Sequence, residues 1–195
     1  MNGFYDFSTI GSNGEIVYNQ REIIIKFGID TANRKALYVQ YSKILEWLVD
    51  VGQTQLILDE INDYYFIGEV ENIPTFQEII MFGELEVKFT CEPFKTSIGY
   101  VGNDVWDTFN FEEDVVQDMS FNVVSTKTLS IYNAGRLITP IINSSAAMTA
   151  VIGGKTYNLG IGDNKIYGLK LQNGYNSIII NGTGLVKFLF RKVVL

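Results

Sequence analysis

From Met119 to Leu195 the sequence falls into eight strand-sized apolar segments separated by turn residues: "SFNVV", "TLSIYN", "LITPII", "MTAVI", "KTYNLGI", "KIYGLKL", "YNSIIIN" and "LVKFLFRKVVL". Short segments at this spacing point to a sandwich or barrel, because each strand buries one face and must then reverse. The reversals are written into the chain. Gly153-Gly154, Asp163-Asn164, Asn173-Gly174 and Asn181-Gly182 supply the positive φ angles of tight hairpins. Eight such segments in about 75 residues predict a compact β-sandwich.

The first half differs by one helix. Arg21 to Phe27 places Ile23, Ile25 and Phe27 on one face and Glu22 and Lys26 on the other, with Ile24 the only apolar residue facing outward. After the turn "GIDTANR", the residues Leu37, Tyr41, Ile44, Leu45 and Leu48 recur on one side of a helix, with Trp47 beside the stripe and Gly52 as a C-terminal stop. A lone amphipathic helix in a β-rich chain has only a sheet to cover. The sheet is supplied by "TQLILD" and "DYYFIGEV", which flank the turn "DEIND" as a hairpin, and by "GELEVKFTCEPF". In the last segment Leu85, Val87, Phe89 and Cys91 alternate with Glu84, Glu86, Lys88, Thr90 and Glu92. Pro93 cannot donate to a ladder, so the strand is expected to end there or to run along an edge.

The fold class expected is therefore mainly β, with one helix packed on an N-terminal sheet and a C-terminal β-sandwich. Between residues 95 and 118 the pattern weakens into a stretch with two glycines and six acidic residues. This places a domain boundary there, giving domains 1–110 and 111–195.

Charge and composition exclude several functions. The formal charge is -7 and the isoelectric point near 4.6, so no basic groove is available for nucleic acid. No apolar run of about 18 residues could span a membrane, and "MNGFYDFSTIGSNG" lacks the regions of a signal peptide, which reads as a soluble, non-secreted chain with no membrane partner. There is no histidine, which removes Ser-His-Asp, Cys-His and His-metal sites. The single cysteine, Cys91, belongs to the inward-facing set of its strand and reads as a small core residue.

The remaining motifs favour structural readings. "GGKT" at 153–156 lacks the earlier glycine of a phosphate loop and precedes a strand, so it is a hairpin. "GDNK" at 162–165 lacks the alternating carboxylates of a calcium loop and reads as a turn, as do the sequon asparagines Asn143 and Asn181. Glu112, Glu113 and Asp114 read as solvated linker. Glycan cleavage would need two carboxylates facing each other across a cleft, and no pair is marked. No catalytic, cofactor-binding or metal-binding residues are expected, and the chain is not expected to be an enzyme. Trp106, Tyr157, Tyr167 and Tyr175 are the candidate contacts for a glycan or a protein partner, although tyrosines in a small sandwich more often pack in a core.

The stretch "MNGFYDFSTIGSNGEIVYNQREIIIKF" resembles the distal tail protein family of siphophages and prophages, through Gly3, Tyr5, Asp6, Tyr18 and Arg21 followed by the alternating strand. The resemblance continues through Trp47-Leu48, Tyr64-Tyr65 and the closing Cys91, Glu92, Pro93 and Phe94. The second half resembles the family's galectin-like or carbohydrate-module-like sandwich, with Asn133, Gly135 and Pro140 in "YNAGRLITPII", and Gly174 and Asn176 in "LQNGYNSIIINGTG".

This resemblance implies a structural virion component at the tail tip, assembled in the bacterial host cytoplasm. It implies a homo-oligomeric, hexameric ring joining the tail tube protein to the tail-tip protein and to receptor-binding proteins. Family members usually carry a further stretch upstream, and this chain begins where that stretch would end, as a short member or a fragment. The alternative function is a carbohydrate-binding β-sandwich module for host cell-surface glycans.

Overall fold

The computed structural model describes residues 18–71, 75–79, 82–102 and 115–195. Gly3, Tyr5, Asp6, Trp106, the acidic run 112–114 and the expected boundary at 110/111 lie outside these residues. The fold is mainly β, with one α-helix and antiparallel sheets. Contacts group the described residues into two compact units, one within Met1–Leu58 and Phe66–Pro93, the other within Asp59–Tyr65 and Phe94–Leu195.

The first unit is built on residues 82–93 of β5 (Phe82–Ser97), a strand whose partners include β1 (Arg21–Asp30), β3 (Tyr64–Val70) and β4 (Thr75–Ile79); the last residues of β5 and the first two of β3 belong to the second unit. The short β2 (Thr54–Leu56) extends the path beyond β3 as the expected hairpin. "TQLILD" is a strand only over its first three residues, because the chain turns through a 3-10 helix at Asp59–Ile61. The alternation in β5 is realised in full: Leu85, Val87, Phe89 and Cys91 are all buried. Cys91 sits so close to Gly68 on β3 that a Cβ there would lie 2.5 Å from its sulfur.

The helix α1 (Arg34–Val49) starts at Asn33, whose side-chain oxygen accepts a hydrogen bond from the Ala36 amide at 3.0 Å. Its apolar stripe is the less exposed side, with Leu37 completely buried. Gly83 makes that burial possible. A side chain there would collide with the Phe76 ring and with Leu37. Phe76 in turn stacks on Tyr41, ring centroids 4.4 Å apart.

Contrary to expectation, β5 neither stops at Pro93 nor is an edge strand: it runs on to Ser97 and has partners on both sides. β1 pairs as far as Cys91, and β14 (Val193–Val194) pairs from Lys95, so neither asks Pro93 for a donor.

The second unit contains two four-stranded antiparallel sheets. One has the order β10-β9-β12-β7 (Lys155–Leu159, Met148–Ile152, Gly174–Asn181, Thr126–Asn133). The other has the order β11-β8-β13-β6 (Gly162–Lys165, Ile141–Ser144, Gly184–Leu189, Ser120–Val123). Ile131, Ile142, Ile178, Ile180, Val186 and Phe188 are at most 1% exposed and form the centre of the core they share. Gly153 and Gly154, with φ of 56° and 75°, make the expected two-residue hairpin between β9 and β10.

Two segments exchange the roles expected of them. "GDNK" is strand β11, and "KIYGLKL" is mostly not strand. The apolar residues Ile166, Leu169 and Leu171 fill the core from a turning segment, whose only bridge among the described residues is Leu171 to Ile138. "LITPII" joins strand β8 only from Ile141, after Pro140, with Ile138 making the isolated bridge to Leu171.

The polar residues that fix these turns are buried and paired. The Asn133 side chain accepts from the Gly135 amide at 3.0 Å and donates to the Arg136 carbonyl at 2.8 Å and the Leu171 carbonyl at 3.3 Å. Gly135 is required there, since a Cβ would come within 2.7 Å of the Val193 carbonyl.

Candidate functional site

The described residues hold no group of three or more histidine, cysteine, aspartate and glutamate side chains placed to bind a metal ion. No described helix is long and apolar enough to cross a membrane. The carboxylates on the outer face of the β1–β5 pair are engaged with lysines. Lys26 reaches Glu86 at 3.2 Å and Glu84 at 3.4 Å, while Lys88 reaches Glu22 at 2.6 Å and Glu71 at 3.0 Å. Hydrogen bonds, foremost to Glu86 for Lys26 and to Glu22 for Lys88, hold both ammonium groups above the ordinary lysine range. Burial pushes the Cys91 thiol up, which makes it a poor nucleophile, with Arg21 opposing the shift.

The first unit offers an association surface. Among the described residues, β1 pairs only with β5, and no described strand adds a ladder on the other side of its ten residues. Long edges of this kind template pairing with another chain unless charged side chains guard them. Here Lys26 and Glu22, the charges on β1 that would guard the edge, are drawn across to β5 by the ion pairs just described. Ile24 on the same strand is 52% exposed. At the end of β1, Phe27, Gly28 and Asp30 face Gln40, Ile44 and Trp47 of α1 across a groove of about 380 Å³, and Trp47 is 67% exposed.

The second unit offers a surface of another kind. Strand alternation sends one set of side chains of the β10-β9-β12-β7 sheet into the core and the other outward, and the outward set forms cross-strand rows. One row is Asn158, Thr149, Asn181 and Thr126; the next is Thr156, Val151, Ile179 and Thr128. The shorter rows are Ser177 with Ser130, then Tyr175 with Tyr132. None of these side chains is charged. Thr126 donates to Asn181 at 3.0 Å and Asn181 to Thr149 at 3.4 Å, while the two tyrosine rings lie 4.8 Å apart at the other end. The outward face of the other sheet carries Asp163, Lys165 and Lys187, and the β1–β5 face carries the lysine–glutamate ladder.

Of the four candidate contacts, Trp106 lies outside the described residues. Tyr175 stands on the uncharged face and is 81% exposed. Tyr157 sits on the same sheet but points the opposite way, packed against the core with its hydroxyl donating to the Gly168 carbonyl at 2.6 Å. Tyr167 is 74% exposed on the loop after β11, with the Lys165 ammonium 5.8 Å from its ring. The structure therefore does not gather Tyr157, Tyr167 and Tyr175 on one surface.

Sequence reasoning also missed a repeated corner. Leu159–Asn164 and Leu171–Asn176 share the pattern Leu-x-x-Gly-x-Asn, with each leucine buried and each glycine at a φ near 90°. Asn164 accepts from the Gly160 amide and donates to the Gly160, Gly162 and Ile142 carbonyls. Asn176 makes the same set with Gln172, Gly174 and Ile131. A search for six-residue repeats would have found the signal.

A helix-covered sheet in one unit and a paired-sheet sandwich in the other define the fold class. The same fold occurs in the crystal structure of the SPP1 Dit protein, titled a paradigm of the hub adsorption apparatus in phages infecting Gram-positive bacteria, with a TM-score of 0.59 and 13% sequence identity. The match covers 95% of this chain and 85% of that one. At this identity the similarity is one of fold. No family model matches the sequence. No curated protein matches it either.

Proposed function

We propose that this chain is a structural component of a phage or prophage tail, a distal tail protein that forms a hexameric ring at the tail tip. In this reading it joins the tail tube protein to the tail-tip protein and to receptor-binding proteins, is assembled in the host cytoplasm and catalyses nothing. The observation that carries the proposal is the fold similarity to a tail hub protein over 95% of the chain. The first unit adds support of a physical kind, since a ring needs a surface on each copy that the next copy can extend. The side of β1 with which no described strand pairs, bearing exposed Ile24 and Phe27, has that character.

The test is the mass in solution of the whole chain, by size-exclusion chromatography with light scattering over a range of concentrations. A hexamer that persists on dilution is expected. Ile24→Lys and Phe27→Asp, at exposed positions on β1, should lower the mass while leaving the circular dichroism spectrum unchanged. A monomer at every concentration, or a hexamer indifferent to both substitutions, would overturn the ring built on this edge.

A further inference from the structure

We propose that one turn end of the sandwich docks on an uncharged lipid bilayer, with Val124, Ile161 and Leu185 entering the headgroup boundary. This goes beyond the tail-hub reading and does not depend on it, and lying on a bilayer requires no membrane-spanning segment. The first observation is the company these residues keep. The sequence runs without a charge over 120–126, 137–154, 156–162 and 171–186. The strand registers bring one turn from each of these stretches to the end of the sandwich opposite Met119 and Phe190. There the Gly182 amide donates to the Ser125 carbonyl at 2.8 Å, and the Ser145 amide to the Leu185 carbonyl at 2.9 Å. Lys127, the cation that follows the first of these turns, is drawn back to the Asn122 carbonyl at 3.3 Å.

The second observation is what stands at this end. Val123, Ser144 and Val186 are buried, so their neighbours Asn122, Val124, Ser145 and Leu185 face outward, and the register that pairs Gly162 with Ser144 sets Ile161 beside Ser145. Ile161 is 77% exposed, Val124 71% and Leu185 50%. Strand spacing puts these three aliphatic tips within roughly 15 Å of one another. Exposed apolar groups gathered in this way mark an association surface. The third observation is that the turns pair their own backbone. Asn164 accepts from the Gly160 amide and donates to the Gly160 and Gly162 carbonyls, on either side of Ile161. The Thr183 hydroxyl accepts from the Ser125 amide at 3.2 Å, and the Ser145 hydroxyl from the Leu185 amide at 2.8 Å, while the Ser144 hydroxyl donates to the Ala146 carbonyl at 2.7 Å. Lipid offers backbone groups no partner, so turns that enter it must bring their own.

Other partners fit less well. An anionic polymer or an anionic bilayer would meet a chain of net charge -7 and find no cation among these turns. A protein interface takes most of its energy from aromatic and arginine anchors. Residues 123–126, 144–148, 159–162 and 181–185 contain neither.

The test is flotation of the whole chain with phosphatidylcholine vesicles. Co-flotation is expected, unchanged in about 0.5 M salt because no ion pair is involved, and weakened when phosphatidylglycerol is added. Ile161→Asp and Leu185→Asp should each lower the partition coefficient about tenfold or more, because a charge is expelled from the bilayer. Tyr167→Ala, an exposed residue away from this end, should leave it intact. These positions are exposed, so unchanged thermal melting is expected and is checked alongside. Contact is read directly with Ile161→Cys carrying an environment-sensitive dye, since the native Cys91 is buried; its emission should shift to the blue when vesicles are added. No flotation, flotation that requires phosphatidylglycerol, flotation indifferent to both aspartates, or a dye that does not respond would each overturn the proposal. So would either aspartate lowering the mass in light scattering without lipid, which would assign this end to contact between copies. Because ring formation is read separately by mass and by the β1 variants, either reading can fail without the other.

Discussion

Replacing Asn176 with alanine isolates the energetics of the repeated corner. Its side chain is 6% exposed, accepts from the Gln172 amide at 2.8 Å, and donates to the carbonyls of Gln172 at 2.8 Å, Gly174 at 2.9 Å and Ile131 at 3.3 Å. Alanine removes every one of these bonds and strands one amide and its acceptors. A lost hydrogen bond costs about 1 kcal/mol net, and a buried donor left unsatisfied about 1 to 3 kcal/mol. The expected loss is therefore roughly 2 to 4 kcal/mol, a large share of the ~5 to 15 kcal/mol that holds a typical domain together. Asn164 makes the same set of bonds where water has more access, so Asn164→Ala should cost about 1 kcal/mol.

Urea denaturation followed by circular dichroism measures both. Asn176→Asp adds a control of sign. The carboxylate keeps the acceptor, loses the donors and faces three carbonyls, so the folded state favours its protonated form. Its folded pKa is raised, and the variant should regain stability relative to the parent as pH falls through that value. An Asn176→Ala cost below about 1 kcal/mol, or one no greater than that of Asn164→Ala, would refute the account. An Asn176→Asp deficit independent of pH would do so too.

Other consequences are simpler to check. Gly68→Ala should destabilise by about 1 to 3 kcal/mol through collision with the Cys91 sulfur, and in a Cys91→Ala background the added cost should shrink in a double-mutant cycle. Leu37→Ala should cost about 2 to 5 kcal/mol in chemical denaturation, because the side chain is fully buried under α1. The Cys91 thiol, 1% exposed and pushed up by burial, should resist alkylation at pH 8 in the folded chain and react promptly in denaturant. Lys26 and Lys88 have raised folded pKa values, so their contribution is present below the ordinary lysine value of 10.5 and is lost as pH rises through the folded values. Lys88→Met should flatten the alkaline fall in stability, and an unchanged slope would show that the ladder is energetically silent.

The sequence by itself determined the elements whose signal is local. Period-two alternation marked β1 and β5, the one-sided stripe marked α1, and Gly153-Gly154 marked a hairpin, because side-chain direction and positive φ are properties of a few adjacent residues. Tertiary structure decided what depends on partners distant in sequence. "GDNK" became a strand because β8 offers it a ladder, and "KIYGLKL" lost strand geometry because its leucines are needed in the core while its backbone turns. Pro93 was tolerated mid-strand because two different partners end and begin on either side of it. The uncharged face is the clearest case. Its residues come from four segments between Thr126 and Asn181, and only the strand order, which places β12 between β9 and β7, sets their side chains in rows. Periodicity along the chain gives the direction of each side chain, while pairing between strands decides its neighbours.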